Sequence, residues 1–210
     1  MKTINKKKGI KMSQQLFWNN KFSKVDYFYG TKPNEFLASK LELIKHKKTL
    51  LCLGEGEGRN AIFFAQNGLE VSAIDASDIG LKKLDSKSKE ENLNIKTFCM
   101  DLNHWEAKEK YDVIVASYLH MFKDEREELF KKIEDSLSKD AYFIGEFFST
   151  KQLEFNSGGP KDLDLLYTIE DFLNHFNSCE KNITEEIAVL DEGIGHQGEA
   201  CVIRVVIQKV

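Results

Sequence analysis

The chain has 210 residues, 41% hydrophobic and 30% charged, with a formal net charge of −4. That length suits one α/β domain with a full core and is short for two. The acidic balance argues against a general nucleic-acid binder, because neutralising phosphates takes clustered Lys and Arg.

Residues 1–16 hold the one basic run, Lys6-Lys7-Lys8 with Lys11. They read as a flexible solvated tail ahead of a single domain over 17–210. The text "NEFLASKLELIKH" places Phe36, Leu37, Leu41 and Ile44 on one helical face, and Asn34, just after Pro33, suits the N-cap. From Leu50 onward, short apolar runs alternate with helical patterns. Strands are expected over 49–53, 70–74, 95–100, 111–117 and 141–148, with helices over 60–66, 80–91 and 124–138. This alternation implies an α/β fold with a mostly parallel, doubly wound sheet covered on both faces. Two last strand-like runs, 183–190 and 200–209, are joined by "DEGIGHQGE". They read as a hairpin, so the sheet should finish with a reversed strand.

Cys52, Cys99, Cys179 and Cys201 form no CxxC pair, and all but Cys179 lie in apolar runs where cysteine packs as a small hydrophobe. Neither a disulfide framework nor a metal site is expected. The N-terminus has no apolar signal region, and no segment approaches the ~18 apolar residues of a membrane span. A reducing, cytoplasmic setting without a membrane partner follows as the expectation.

The first strand runs into "GEGEGRN", where Gly54, Gly56 and Gly58 alternate with Glu55 and Glu57. Such a loop lies at the C-terminal edge of a parallel sheet, where open α/β sheets bind ligands. The text Gly56–Ala61 fits the dinucleotide fingerprint G-x-G-x-x-A in form. Physically it fits badly, since a carboxylate ~4 Å from a pyrophosphate is repelled by about 4 kcal/mol at an effective dielectric near 20. A cationic, phosphate-free nucleoside such as S-adenosylmethionine removes that objection. Glu55 and Glu57 then either sit favourably beside the cation or face water. The next strand ends in Asp75, about twenty residues after the loop begins, where a carboxylate can accept from ribose hydroxyls. The third ends in "TFCMDL", with Asp101 at the edge where an adenine amino group would lie.

With these segments in order, the sequence resembles a class I S-adenosylmethionine-dependent methyltransferase. "LLCLGEGEGRN", "SAIDAS", "TFCMDL" and "YDVIVASYLH" correspond to its first four motifs, and the resemblance runs from about Phe17 to the C-terminus. It is closest to the small bacterial tellurite-resistance (TehB-like) group, through "YGTKPNEFL", "GEGEGRNA", "QLEFNSGGPKDLDLLY" and "LDEGIGHQGEACVIR". Cys52 stands where the superfamily often has an acidic residue, and Glu55 where a small residue or Cys is common. The resemblance implies a Rossmann-like, seven-stranded sheet with an antiparallel final strand. It implies that Gly54, Glu55, Gly56 and Gly58 border the methionine part of the cofactor, that Asp75 and Ala76 meet the ribose, and that Asp101 and Leu102 flank adenine. Ser117 would lie beneath the cofactor, and Tyr27 and Tyr29 would come from an N-terminal lid.

Methyl transfer from a sulfonium is an in-line displacement that depends mainly on alignment. The candidate catalytic side chains are His120, after the fourth strand, and His196, in "GIGHQG". With an ordinary pKa near 6.5, each can serve as a base or, protonated, hold an anion. Arg59 and Lys161 are further candidates for attracting an anion. The glycine-rich text "NSGGPKDLDLLYT" suits a lid or substrate wall. The expected activity is methyl transfer to a small soft or anionic acceptor, such as tellurite, selenite or a small thiol, with S-adenosyl-L-homocysteine as product. A nicotinamide-dependent oxidoreductase and a non-catalytic S-adenosylmethionine-binding module stay open as rivals.

Overall fold

A computed structural model describes residues 13–210. Of the expected tail, residues 1–12 lie outside the described residues, while 14–16 open the first helix, α1 (Gln14–Phe22), capped by the Ser13 side chain. Two short helices, α2 (Glu35–Ser39) and α3 (Leu41–Ile44), replace the single one expected, and the Asn34 side chain caps α2 by accepting from the Leu37 N–H. Then come β1 (Thr49–Leu53), α4 (Arg59–Gln66), β2 (Glu70–Asp75), α5 (Asp78–Glu90), β3 (Ile95–Cys99), β4 (Tyr111–Ser117), α6 (Lys123–Ser136) and β5 (Leu137–Phe148). The short α7 (Ile169–Leu173) precedes β6 (Cys179–Glu192) and β7 (His196–Lys209).

The seven strands form one sheet in the order β3-β2-β1-β4-β5-β7-β6. β1 to β5 are parallel, β7 runs antiparallel to β5, and β6 antiparallel to β7. Because helices cover both faces, the central strands carry unbroken apolar runs: Leu50, Leu51, Cys52 and Leu53 of β1 are all buried, as are Val113 to Ala116 of β4. Alternate side chains feed two cores, Leu51, Ile114 and Phe143 on one face and Leu50, Val113 and Ile144 on the other. The edge strands differ. β3 leaves Phe98 and Cys99 exposed, so Cys99 is not the buried hydrophobe its neighbours suggested, unlike Cys52 and Cys201. β6 is half exposed along its length, and its Glu and Lys residues hid the outer part of this long strand from apolar-run reading. β5 likewise starts earlier than expected, in the polar text "LSKD".

The strand order reverses between β1, which leads outward to β2, and β4, which leads to β5. That switch point opens a crevice at the carboxyl ends of the strands. Helix α1 lies across it, held to the N-terminus of α5 by Asn19, which donates to Asp78 (2.8 Å) and accepts from the Ser77 hydroxyl (2.6 Å). Among the described residues no helix is long and apolar enough to cross a membrane.

Candidate functional site

The crevice is a cavity whose floor comes from successive strand ends: Gly54 to Glu57 after β1, Asp75 and Ala76 after β2, Asp101 and Leu102 after β3, and Ser117 to Met121 after β4. Its roof is Gln14, Trp18 and Phe22 of α1, Tyr29, and His196 at the start of β7. Every expected cofactor residue except Tyr27 and Gly58 lines this space.

The glycines serve the protein's own packing as well as a ligand. Gly54 has φ +63°, and a Cβ there would stand 2.5 Å from Leu119 Cδ1. At Gly58, φ is +96° and a Cβ would meet Leu84 Cδ1 at 2.4 Å, which places this glycine beneath the cavity wall. Neither glutamate faces water: both line the cavity and are bonded within the protein. Glu55 is buried and its Oε1 accepts from the N–H groups of Asn60 (2.9 Å) and Ala61 (2.8 Å), capping α4. Burial raises its pKa to about 7 against those bonds and Arg59. Glu57, also buried, accepts from Lys83 Nζ (2.7 Å) and from the Phe28 N–H (2.7 Å). Lys83 also donates to the carbonyls of Phe22, Val25 and Asp26. This pair fastens the segment carrying the roof to the glycine loop.

Asp75 is buried, with Oδ2 accepting from Gly56 N–H (2.8 Å) and Oδ1 from Ser77 N–H (2.7 Å). Burial lifts its pKa to about 6, and the two amides oppose the rise. Each carboxylate oxygen keeps a further acceptor site, which matches a vicinal diol. Asp101 accepts from the Asn103 N–H (2.9 Å), which turns the chain so that Leu102 packs inward. Ser117 Oγ accepts from Asn60 Nδ2 (3.1 Å). The next residue, Tyr118, has φ +49° and donates its hydroxyl to Glu146 Oε1 (2.5 Å). A non-glycine residue held in that backbone region marks strain localised at a site.

Tyr29 reaches the cavity, its hydroxyl accepting from Lys21 Nζ (2.8 Å) and its ring 4.5 Å from that of His196. Tyr27 does not. It is not in the cavity lining, and Lys83 Nζ lies 5.8 Å from its ring centre. His120 stands under Trp18, the rings 5.3 Å apart, and its Nε2 is shut from solvent without a hydrogen-bond partner among the described residues. Burial, aided by Lys21 and His196, lowers its pKa to about 3. His120 is therefore neutral at pH 7, where an ordinary imidazole would be partly protonated.

His196 is not on a mobile turn. It is buried, and its Nδ1 lies 2.9 Å from Glu192 Oε2 across the tight β6–β7 hairpin, where the two residues are register partners. Burial lowers its pKa, with Glu192 opposing. Glu192 itself is pushed up by burial, but His196 and Arg59 outweigh this and hold it at about 2. Arg59 lines the cavity and is ion-paired, donating from Nη2 to Glu192 Oε2 (3.0 Å), while its buried Nη1 makes no hydrogen bond among the described residues. Asn34 joins Glu192 (3.0 Å) to Glu146 (2.7 Å), and Arg204 completes the network at Glu146 Oε2 (2.6 Å). Glu192 and Glu146 were missed because a buried acid in a strand looks like any exposed one. The hairpin register pairing Glu192 with His196 was the available signal.

The glycine-rich segment forms a wall, as expected: Gly158 to Asp162 and Leu165 bound a second, outer chamber of about 480 Å³. It shares Gln14, Trp18, Tyr29 and His120 with the inner cavity and adds Phe17, Lys21, Phe28 and Phe122.

A family model described as "Tellurite resistance protein TehB" matches residues 17–143, more than half of the chain. A probable S-adenosyl-L-methionine-dependent methyltransferase TehB of Haemophilus influenzae is 36% identical over 73 residues, 35% of this chain. The aligned stretch spans only 26% of that relative's length. Among solved structures, TehB from Haemophilus influenzae superposes with a TM-score of 0.72 at 21% identity, covering 92% of this chain and 67% of that one. A structure from work on the conversion of a disulfide bond into a thioacetal group in echinomycin biosynthesis gives a TM-score of 0.76 at 14% identity, covering 94% and 92%. At these identities the structural likenesses carry the fold.

Proposed function

The chain belongs to the TehB family, and we propose that it is an S-adenosylmethionine-dependent methyltransferase acting on a small soft or anionic acceptor in a cytoplasmic setting. The observation that carries this reading is the floor of the cavity. Loops after β1, β2 and β3 present in succession a glycine turn, a buried carboxylate with open acceptor sites, and an acidic edge beside an apolar wall. Those three chemistries suit an amino-acid moiety, a ribose diol and an adenine. The neutral state of His120 also suits a cationic sulfonium nearby, which a protonated imidazole would repel.

When bound, the donor supplies an electrophilic methyl group on a sulfonium. The protein's part is geometric. Asp75 holds the ribose, the Gly54–Gly58 loop and Ser117 set the depth of the methionine arm, and Tyr29 and His120 bound the point where inner cavity and outer chamber meet. Trp18 and Phe22 of α1 shield that junction from water. Alignment of this kind can supply ~7–11 kcal/mol of barrier lowering. Tellurite, selenite and thiolates suit the site because they arrive as anions and need no strong base.

Calorimetric titration with S-adenosylhomocysteine, repeated with NADH, tests the reading. Micromolar binding of S-adenosylhomocysteine alone is the expected result. Binding of NADH instead would overturn it in favour of an oxidoreductase.

A further inference from the structure

The outer chamber has a pronounced chemical asymmetry. Lys21 of α1 lines it, with Nζ 5.6, 4.8, 5.0 and 5.3 Å from the ring centres of Phe17, Trp18, Phe28 and Tyr29, whereas Lys161, also in the lining, is exposed. Lys21 donates to the Tyr29 hydroxyl, and among the described residues no carboxylate pairs with it. Burial, with a smaller push from Lys24, lowers its pKa to about 8, so the ammonium is largely kept at pH 7 although poorly solvated. The same chamber is lined by His120, close enough to Lys21 to feel its charge, whose buried Nε2 has no hydrogen-bond partner among the described residues. An under-solvated cation and an unpartnered imidazole nitrogen, walled by aromatic rings, leave a space of about 480 Å³ that an inorganic oxyanion alone does not fill.

Resting on the methyltransfer reading above, we propose that the acceptor is an amphipathic anion of the arenethiolate type. Its flat apolar body stacks among the α1 and Phe28–Tyr29 rings, and its ionised sulfur sits between the Lys21 ammonium and His120 Nε2. The chemistry closes without a base. The thiolate lone pair forms the new sulfur–carbon bond as the donor's methyl–sulfonium bond breaks. The released pair stays on the departing thioether, so anion and cation are both neutralised and no proton moves. An acceptor that must lose its proton during transfer is disfavoured, because burial makes His120, which lines both spaces, a weak base here and also lowers the pKa of His196 in the inner cavity. Lys21 adds a second selection by favouring the ionised form of a bound thiol.

The test compares benzenethiol, 2-mercaptoethanol and tellurite as acceptors at one pH, with rates normalised to the ionised fraction of each. S-adenosylhomocysteine affinity is measured in parallel on the same protein. Benzenethiol should exceed 2-mercaptoethanol in kcat/KM by about tenfold or more through stacking and exclusion of water. Lys21→Met should lower kcat/KM for benzenethiol by about tenfold while S-adenosylhomocysteine affinity stays within about twofold, and Lys21→Arg should recover most of the loss. Equal or better use of 2-mercaptoethanol or tellurite, or an unaffected Lys21→Met variant, would overturn this inference alone. Failure of the wild type to bind S-adenosylhomocysteine would overturn the methyltransfer reading beneath it.

Discussion

The floor and the roof of the cavity are assembled in different ways. On the floor, Gly54, Asp75, Asp101 and Ser117 follow four parallel strands, and the loops after β1 and β2 are joined by Gly54 N–H to Ile74 O and by Gly56 N–H to Asp75. The roof gathers Trp18 and Lys21 from one end of the chain, Gly158–Asp162 from the β5–β6 connection, and His196 from the last hairpin. It is tied down by buried ion pairs, Glu57 with Lys83 and Arg59 with Glu192. Adjacent strand ends of one sheet thus build the part assigned to the donor, and segments outside those strand ends build the part assigned to the acceptor. Donor binding should survive most changes in the roof, and acceptor use should not.

The sharpest way to break that division is to cut a tie of the roof. Glu192→Ala leaves Arg59 buried without its carboxylate and His196 without its partner, and should cost about 3–5 kcal/mol in denaturant unfolding. A loss below about 1 kcal/mol would mean that the network does not hold the hairpin in place. On the floor, Asp75→Ala should weaken S-adenosylhomocysteine about 10–100-fold by calorimetry, since hydrogen bonds to a charged group are worth about 1.5–3 kcal/mol. Unchanged affinity would remove Asp75 from the donor site.

The buried floor histidine, His120, gives a pH signature. Above the ordinary pKa near 6.5, neither folded nor unfolded His120 holds a proton. Below it, the unfolded chain takes one up and the folded chain does not until about pH 3. Stability is therefore lost as pH falls through that window, by up to about 2 kcal/mol between pH 6.5 and 5. Lys21, His196 and the Trp18 ring are the groups that face it. Asp75 and Glu55, with raised pKa values, act oppositely over part of this range, so the reading is a difference. His120→Phe should lose less melting temperature than the wild type from pH 7 to 5, and an equal loss in both would contradict the buried neutral state. The smallest expected effect belongs to Tyr27→Phe, which should leave S-adenosylhomocysteine affinity within about twofold because Tyr27 lies outside the cavity. A larger loss would return Tyr27 to the roof.

Much of the sheet is legible in the chain: β1 and β4 lie where their apolar runs predict, and the reversed last strand follows from one hairpin. The floor residues follow with it, because a parallel strand end carries its loop to a known edge. Helix α1 was not legible. Its apolar residues Leu16, Phe17, Trp18 and Phe22 do not share one face, and it is placed by Asn19 and by rings that reach over the cavity. Nor was the fate of Glu55 and Glu57, whose roles depend on the amides of α4 and on Lys83 in α5.

By itself, then, the sequence determined the order of strands and helices, the glycine turn at the switch point and the carboxylate at the end of β2. Those depend on hydrophobic periodicity and backbone stereochemistry, which act over a few residues. Only the tertiary structure decided which cations are free and which are spent, that His120 is neutral while Lys21 keeps an unpaired charge, and that Tyr29 rather than Tyr27 reaches the site. Desolvation and charge pairing depend on neighbours brought from distant parts of the chain, and composition and spacing along it carry no record of them.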